Sequence, residues 1–231
     1  MFGDLSIIQV FQSSPTMVVL LVCSSVTLAF AVERLLYFQA SSVDNRRVMN
    51  ELANHLKAGN PRAALDYCQR LNKPVARVMA QAVMNMNRPH EEQVQRVDTA
   101  IELEQVEMER NIGVLGTMAN IAPLLGLFGT VVGIIRAFAD IARTGSGGGA
   151  VVAMGVSEAL LTTAAGIIVA VVATVFFNVY VRRIRSRVAQ LEDARETWFA
   201  LASQDQRRRA ASGQPTPAAR RQPAAEQPVL A

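Results

Sequence analysis

Three long apolar stretches stand out along the chain. They run from about Met17 to Phe38 (MVVLLVCSSVTLAFAVERLLYF), from about Ile112 to Ile141, and from about Val151 to Val181. Each exceeds the roughly 20 helical residues needed to cross a bilayer core. The pattern predicts an all-α membrane protein with three transmembrane helices, over residues 17–39, 112–142 and 151–181. No basic segment precedes the first stretch, and no small-x-small site follows it before Glu33-Arg34, so it is read as a span and not as a cleaved signal.

The segments between and beyond the spans carry their own periodicity. Residues 40–111 read as a helical region with clear punctuation. Gly59-Asn60-Pro61 ends one helix and starts the next, with Asn60 as N-cap and Pro61 in the first turn, and Pro74 and Pro89 mark further boundaries. From Glu91 onward, Val94, Val97, Ile101 and Met108 fall near one helix face. No breaker is evident before Pro123, so one helix is expected to run from this region into the second span. After the third span, Ile184, Val188, Leu191 and Trp198 recur at helical intervals, which extends that helix over residues 182–206. Residues 207–231, rich in Ala, Pro, Gln and Arg, lack the apolar content to order themselves and read as a disordered tail. Residues 1–16 read as an interfacial helix broken from the first span near Pro15.

Charge then orients the spans. Residues 1–16 hold no Lys or Arg, and the 143–150 linker holds only Arg143. Arg46, Arg47 and Lys57 follow span one, and Arg182, Arg183, Arg185 and Arg187 follow span three. The positive-inside rule places the N-terminus in the periplasm, residues 40–111 in the cytoplasm, the 143–150 loop in the periplasm, and the C-terminus in the cytoplasm. The expected location is the bacterial inner membrane, with membrane lipids as partners and acidic-lipid contact as a second role for the arginines.

Composition removes several function classes. The chain is 51% hydrophobic and 18% charged, with two cysteines and two histidines. Cys23 and Cys68 make no disulfide framework or metal-ligand spacing, and His55 and His90 make no metal set, so no metal and no cofactor is expected. The net charge of +4 comes without an aromatic-interleaved basic face, which argues against nucleic acid. Gly145-Ser146-Gly147-Gly148-Gly149 lacks the following Gly-Lys-Ser/Thr and the preceding strand of a phosphate loop, and reads as a flexible turn. No nucleophile–base pair is evident, so the chain is not expected to be an enzyme.

The polar and small residues inside the spans carry the chemistry. Span two holds Pro123 and places Gly126, Gly129, Thr130 and Gly133 among apolar neighbours. Small residues of this kind let helix backbones approach closely in lipid. Pro123 removes one backbone donor, so a carbonyl in that turn needs another partner. Arg136 and Asp140, four apart, suit a surface ion pair. Span three holds Glu158, Thr162 and Thr163, with Gly155 and Gly166 beside them. A carboxylate at membrane depth costs at least about 2.5–3.5 kcal/mol. Such a group persists in a wet or partnered interior, and apolar surroundings favour its protonated form, which suits proton exchange. The plainer reading is a shallow glutamate snorkelling to the interface.

Two stretches resemble a known family. NIAPLLGLFGTVVGI and GVSEALLTTAAGI are similar to the second- and third-span signatures of TolQ/ExbB proteins, in the correct order and with a short loop between. The resemblance covers residues 111–182, whereas residues 17–110 match in layout only. Carried over residue by residue, it assigns the proton pathway to Glu158, Thr130 and Thr163, with Thr162 an added hydroxyl where the family often has Ala. Val132 in place of Trp and Ser157 in place of Ala are further departures. MotA stators, with four spans and no such glutamate, fit less well.

The resemblance implies a homopentamer whose second and third spans enclose a pore. It further implies two copies of a single-span TolR/ExbD-like partner and a TonB/TolA-like or gliding-machinery transducer. The implied function is a stator subunit of a proton-driven motor that energises outer-membrane transport, envelope maintenance or gliding, with H⁺ as the transported ion. One charge moved through 100 mV supplies about 2.3 kcal/mol, enough to bias small steps between packed helices. The alternative is a passive membrane scaffold whose polar stripe only fixes helix register.

Overall fold

The computed structural model describes residues 15–144 and 149–211. Among the described residues, seven helices follow one another: α1 (Pro15–Ala40), α2 (Asn45–Lys57), α3 (Pro61–Leu71), α4 (Pro74–Met84), α5 (His90–Glu109), α6 (Ile112–Thr144) and α7 (Gly149–Ala211). Three of them are long and apolar enough to cross a membrane. The chain divides into two compact units. One holds α1, α6 and α7 through Arg183, and the other holds α2 to α5 with α7 from Ile184.

In the first unit the apolar helices pack through narrow, small-residue stripes. α1 buries Met17, Leu20, Thr27, Ala31, Arg34 and Phe38, a helical stripe. Its Ser25 and Thr27 hydroxyls donate to the Leu21 and Cys23 carbonyls at 2.9 and 2.8 Å, so these polar groups are satisfied within the helix. Ala122 of α6 with Val169 and Ala170 of α7 form a core against which Cys23 of α1 packs. Large apolar side chains elsewhere point outward, among them Val22 and Leu36 on α1, Leu124 and Phe138 on α6, and Leu160 and Ile168 on α7. Apolar outer faces on apolar helices are what a lipid-facing bundle presents.

One end of this unit is closed by aromatic and charged groups. The Tyr180 hydroxyl donates to the Ala31 carbonyl at 2.5 Å. Its ring stacks on Phe38 and Phe176, with centroids 5.7 and 6.1 Å away. Arg34 is fully buried. Its guanidinium pairs with Glu33 and lies 4.6 Å from the centre of the Tyr37 ring. A buried arginine requires such compensation, because its charge would otherwise be stranded in apolar surroundings.

The second unit shows the expected punctuation. Asn60 accepts a hydrogen bond from the Ala63 backbone N–H at 3.1 Å and Pro61 opens α3, while Asp44 caps α2 through the Arg46 N–H at 3.0 Å. Pro74 opens α4, and Pro89 immediately precedes α5. On α5, Val97, Ile101 and Met108 are buried together with Gln93 and Glu104, whereas Val94 is half-buried. Both polar members are compensated. Gln93 donates to the Met86 and Arg88 carbonyls, and Glu104 takes a two-pronged contact from Arg77 at 2.5 and 2.6 Å. On α7, Ile184, Leu191, Ala194 and Trp198 are buried, Val188 is half-buried, and Arg195 pairs with Asp98 of α5.

Several boundaries differ from the sequence reading. α5 and α6 are separate helices, not one. Arg110 and Asn111 form a turn between them, and Asn111 adopts a left-handed backbone with φ of 66°. Asparagine is among the few residues other than glycine that visit this region readily, so it stops a helix without looking like a breaker. Pro123 lies inside α6, which continues through it. The third span's helix does continue past residue 182, but it reaches Ala211, so residues 207–211 are helical and not part of a tail. α6 ends at Thr144 and α7 begins at Gly149, which shortens the 143–150 linker at both ends. The interfacial helix at residues 1–14, the tail at 212–231 and glycine-linker residues 145–148 lie outside the described residues.

Candidate functional site

The seam between α6 and α7 is built from residues without bulk. A methyl group placed on Gly126 would lie 3.0 Å from both the Thr162 carbonyl oxygen and the Thr163 Cα. On Gly166 it would meet the Ala122 carbonyl oxygen at 2.5 Å. On Gly133 it would meet the Ala159 Cβ at 2.7 Å, and on Gly155 the Ala137 Cβ at the same distance. On Gly129 it would collide with the Thr162 side chain, whose Cβ is 2.8 Å away. Real side chains do not approach so closely, so the helices press together at backbone distance along more than four turns of α6. Van der Waals contact is the main attraction between helices in lipid, and this seam maximises it.

Two hydroxyls are set into the seam. Thr163 donates to the Gly126 carbonyl oxygen at 3.0 Å, across from α7 to α6. Thr162, only 1% exposed, donates to the Ala159 carbonyl at 2.7 Å and comes within 3.4 Å of the Gly126 carbonyl. The sequence reading put Thr162 beside Glu158 on one face. The structure turns Thr162 fully into the seam and leaves Glu158 half-buried at its margin, next to Ala159, which faces Gly133.

Thr130 is also half-buried, and its hydroxyl donates to the Leu127 carbonyl of its own helix at 2.6 Å. The seam therefore gathers Gly126, Gly129, Gly133, Gly155, Gly166, Thr162 and Thr163. Thr130 follows Gly129 directly, and Glu158 precedes Ala159 directly, so both flank the line of contact. Pro123 adjoins it next to buried Ala122.

Sequence reasoning missed the inter-helix role of the Gly126 carbonyl, because a backbone acceptor has no residue signature. It also missed the buried Arg34–Glu33 pair, although two adjacent opposite charges inside an apolar run were the available signal. Among the described residues, no group of three or more His, Cys, Asp or Glu side chains could hold a metal ion. The chemistry on offer is one carboxyl, Glu158, in the otherwise uncharged stretch 151–181 of α7, beside a tightly closed hydroxyl-bearing seam.

The pattern of the MotA/TolQ/ExbB proton channel family matches residues 70–193, more than half of the 231 residues. The chain belongs to the MotA/TolQ/ExbB proton channel family. The matched region includes Thr130, Glu158, Thr162 and Thr163. Among named relatives, the biopolymer transport protein ExbB of Pseudomonas putida is 46% identical over 98 residues, 42% of this chain and 30% of that protein. ExbB of Salmonella typhimurium is 44% identical over 115 residues, 49% of this chain and 47% of its own length. The Tol-Pal system protein TolQ of Pseudomonas aeruginosa is 38% identical over 79 residues, 34% of each chain. The chain thus spans less than half the length of each of these relatives. The family assignment, with three membrane-length apolar helices, makes this a membrane protein of a transport family that is not an enzyme family.

Proposed function

We propose that this chain is the pore-forming stator subunit of a proton-motive-force-driven motor in the bacterial inner membrane, an energising subunit of the TolQ/ExbB kind. The observation that carries the reading is Glu158, a carboxyl on an apolar membrane-length helix within the region that matches a proton channel family. A carboxyl there binds a proton from one side, holds it as the neutral form at much lower cost than the anion would carry, and releases it toward the other side. The α6–α7 seam supports a particular placement of that path. Backbones in contact leave no channel between these two helices, so protons pass along the face of α7 that Glu158 borders. Thr130, Thr163 and Thr162 are added to the path by the family resemblance, Thr163 with its hydroxyl given to the Gly126 carbonyl and Thr162 buried in the seam.

The reading extends to an assembly of a pentamer around two copies of a TolR/ExbD-like single-span protein, with a TonB/TolA-like or gliding-machinery transducer. The distribution of arginines supports a periplasmic N-terminus and a cytoplasmic C-terminus. The deciding experiment is proton uptake into liposomes holding this chain and its co-purified partner, with an imposed potential. Glu158→Gln, close to isosteric and unable to ionise, is expected to assemble normally and to lower uptake at least about tenfold, as loss of a single essential carrier group would. Undiminished uptake by that variant would sink the proposal.

The glycine seam motivates a second reading, a passive scaffold. On that reading Glu158→Gln is silent and Gly133→Leu disrupts the protein, since even a methyl group at Gly133 would lie 2.7 Å from the Ala159 Cβ.

A further inference from the structure

Thr174 and Asn178 are the only polar side chains on α7 between Thr163 and Tyr180, and both are exposed. The Tyr180 hydroxyl reaches the Ala31 carbonyl of α1. At about 100° per residue, Thr174 and Asn178 point roughly 120° and 160° away from Tyr180, on the same side of the helix. On α6, Ala122 belongs to the core against which Cys23 of α1 packs. Exposed Asn120, two residues earlier, points roughly 160° away from Ala122. All three polar side chains therefore leave the α6–α7 pair on the side away from α1. They also share a height. A methyl group on Gly116 would lie 3.0 Å from the Phe177 ring, which brings these two residues level. Asn178 is beside that contact, and Asn120 and Thr174 each lie roughly 5 Å from it in the direction of the α6–α7 linker.

Their own bonds leave acceptors open. The Asn120 amide donates to the Gly116 carbonyl at 2.9 Å and the Thr174 hydroxyl to the Ala170 carbonyl at 2.7 Å, each within its own helix. The Asn178 amide forms no hydrogen bond among the described residues. An amide without a partner is costly in hydrocarbon, and a lipid tail cannot supply one.

We infer that Asn120, Thr174 and Asn178 line a water-filled inner mouth of the ion path, where their oxygens hold the waters that carry the proton away to the cytoplasm. The inference rests on the proposed assembly, in which the second and third spans enclose a pore, so that the side away from α1 faces that pore. Carboxamides and hydroxyls suit such a mouth. They bond water as donor and as acceptor without a charge of their own, so they neither repel nor trap the ion.

The test measures water access. N120C, T174C and N178C are made singly in a C23S/C68A background and treated, in opened membranes, with a positively charged methanethiosulfonate. L28C is the reference, because Leu28 is 52% exposed on α1. Leu28 and Phe177 each lie three residues before the Ala31–Tyr180 contact, so the reference sits at the same height on the opposite side. A cysteine reacts as its thiolate, which forms in water and not in hydrocarbon, so the three are expected to label at least about tenfold faster than L28C. Modified N178C is then expected to show proton uptake at least about tenfold below that of the C23S/C68A protein treated alike, since a fixed positive charge in the mouth repels protons. The inference is overturned if those of the three that assemble label no faster than L28C, or if fully modified N178C keeps its uptake. Glu158→Gln tests the motor reading separately. Undiminished uptake there sinks that reading without altering the labelling rates, which depend on water alone.

Discussion

The Thr163 hydroxyl donates to the Gly126 carbonyl oxygen at 3.0 Å, joining α7 to α6 through two residues 37 positions apart in sequence. The bond forms because Gly126 has no side chain to hold α7 away, so a short hydroxyl reaches the backbone directly. Thr163→Val keeps the shape and removes the donor. The Gly126 carbonyl would retain its partner within α6 and the longer contact from the Thr162 hydroxyl at 3.4 Å, and inter-helix bonds in membranes average about 0.6 kcal/mol. A small drop in thermal stability in detergent is expected, of that order. If Thr163→Val also slows proton uptake far more than it lowers stability, the hydroxyl serves the ion path as well as the seam.

Two glycines on these helices should respond to alanine in opposite directions. At Gly166 a methyl group would sit 2.5 Å from the Ala122 carbonyl oxygen and 3.0 Å from the Gly126 Cα, both backbone atoms that cannot swing aside. Gly166→Ala is expected to cost about 1–3 kcal/mol through overpacking. At Gly113, in the first turn of α6, nothing lies within 4 Å of the added methyl group. Gly113→Ala is expected to stabilise by up to about 1 kcal/mol, because alanine restricts the unfolded chain more. Melting curves of the two variants in one detergent check both signs, and equal shifts would contradict the close approach at Gly166.

Much of this architecture was legible in the residues, for identifiable reasons. The spans are visible because apolar length is a bulk property. The Asn60–Pro61 and Pro74 helix starts are visible because capping is local chemistry. The glycines could be marked as small, but which residue each one faces depends on helix rotation, which sequence spacing fixes only coarsely. For the same reason the adjacent threonines 162 and 163 could not be told apart, although one is buried and the other half-buried. Gln93 and Glu104 look like solvent-facing residues of α5. They are buried because Arg77 and the Met86 and Arg88 carbonyls, distant or backbone partners, compensate them.

Asn111 is the least conspicuous of the helix stops, and it yields a ranked prediction. Its φ of 66° disfavours most side chains by about 1–2 kcal/mol, whereas glycine carries no such penalty. Its side chain also hydrogen-bonds the Glu33 carboxylate. Asn111→Gly therefore keeps the turn but loses that bond, and should fall within about 1 kcal/mol of wild type. Asn111→Ala loses the bond and strains the turn, and should be less stable by a further 1 kcal/mol or so. Chemical denaturation of the three proteins gives the order wild type, glycine, alanine. An alanine variant as stable as wild type would mean that α5 and α6 can merge into one helix without penalty.

Cys68, fully buried on α3, supplies a test based on pH. Burial pushes its thiol up to about 11 from an ordinary value of 9.0, because the thiolate would lose its water. In the folded protein at pH 8 only about one thiol in a thousand is ionised, and it is covered as well. A Cys23→Ser variant should therefore react with iodoacetamide very slowly at pH 8, and rapidly once denatured. The same shift sets the sign of the stability change. Below pH 9 the thiol is protonated in both states and has no effect. Between pH 9 and 11 the unfolded chain releases its proton while the folded chain holds it, so unfolding is favoured and stability falls. The loss approaches about 2–3 kcal/mol above pH 11. Cys68→Ala removes this term, so the melting temperature of wild type should fall more steeply than that of the variant across pH 9–11. Parallel curves would show that the thiolate is tolerated in the folded helix packing around Cys68.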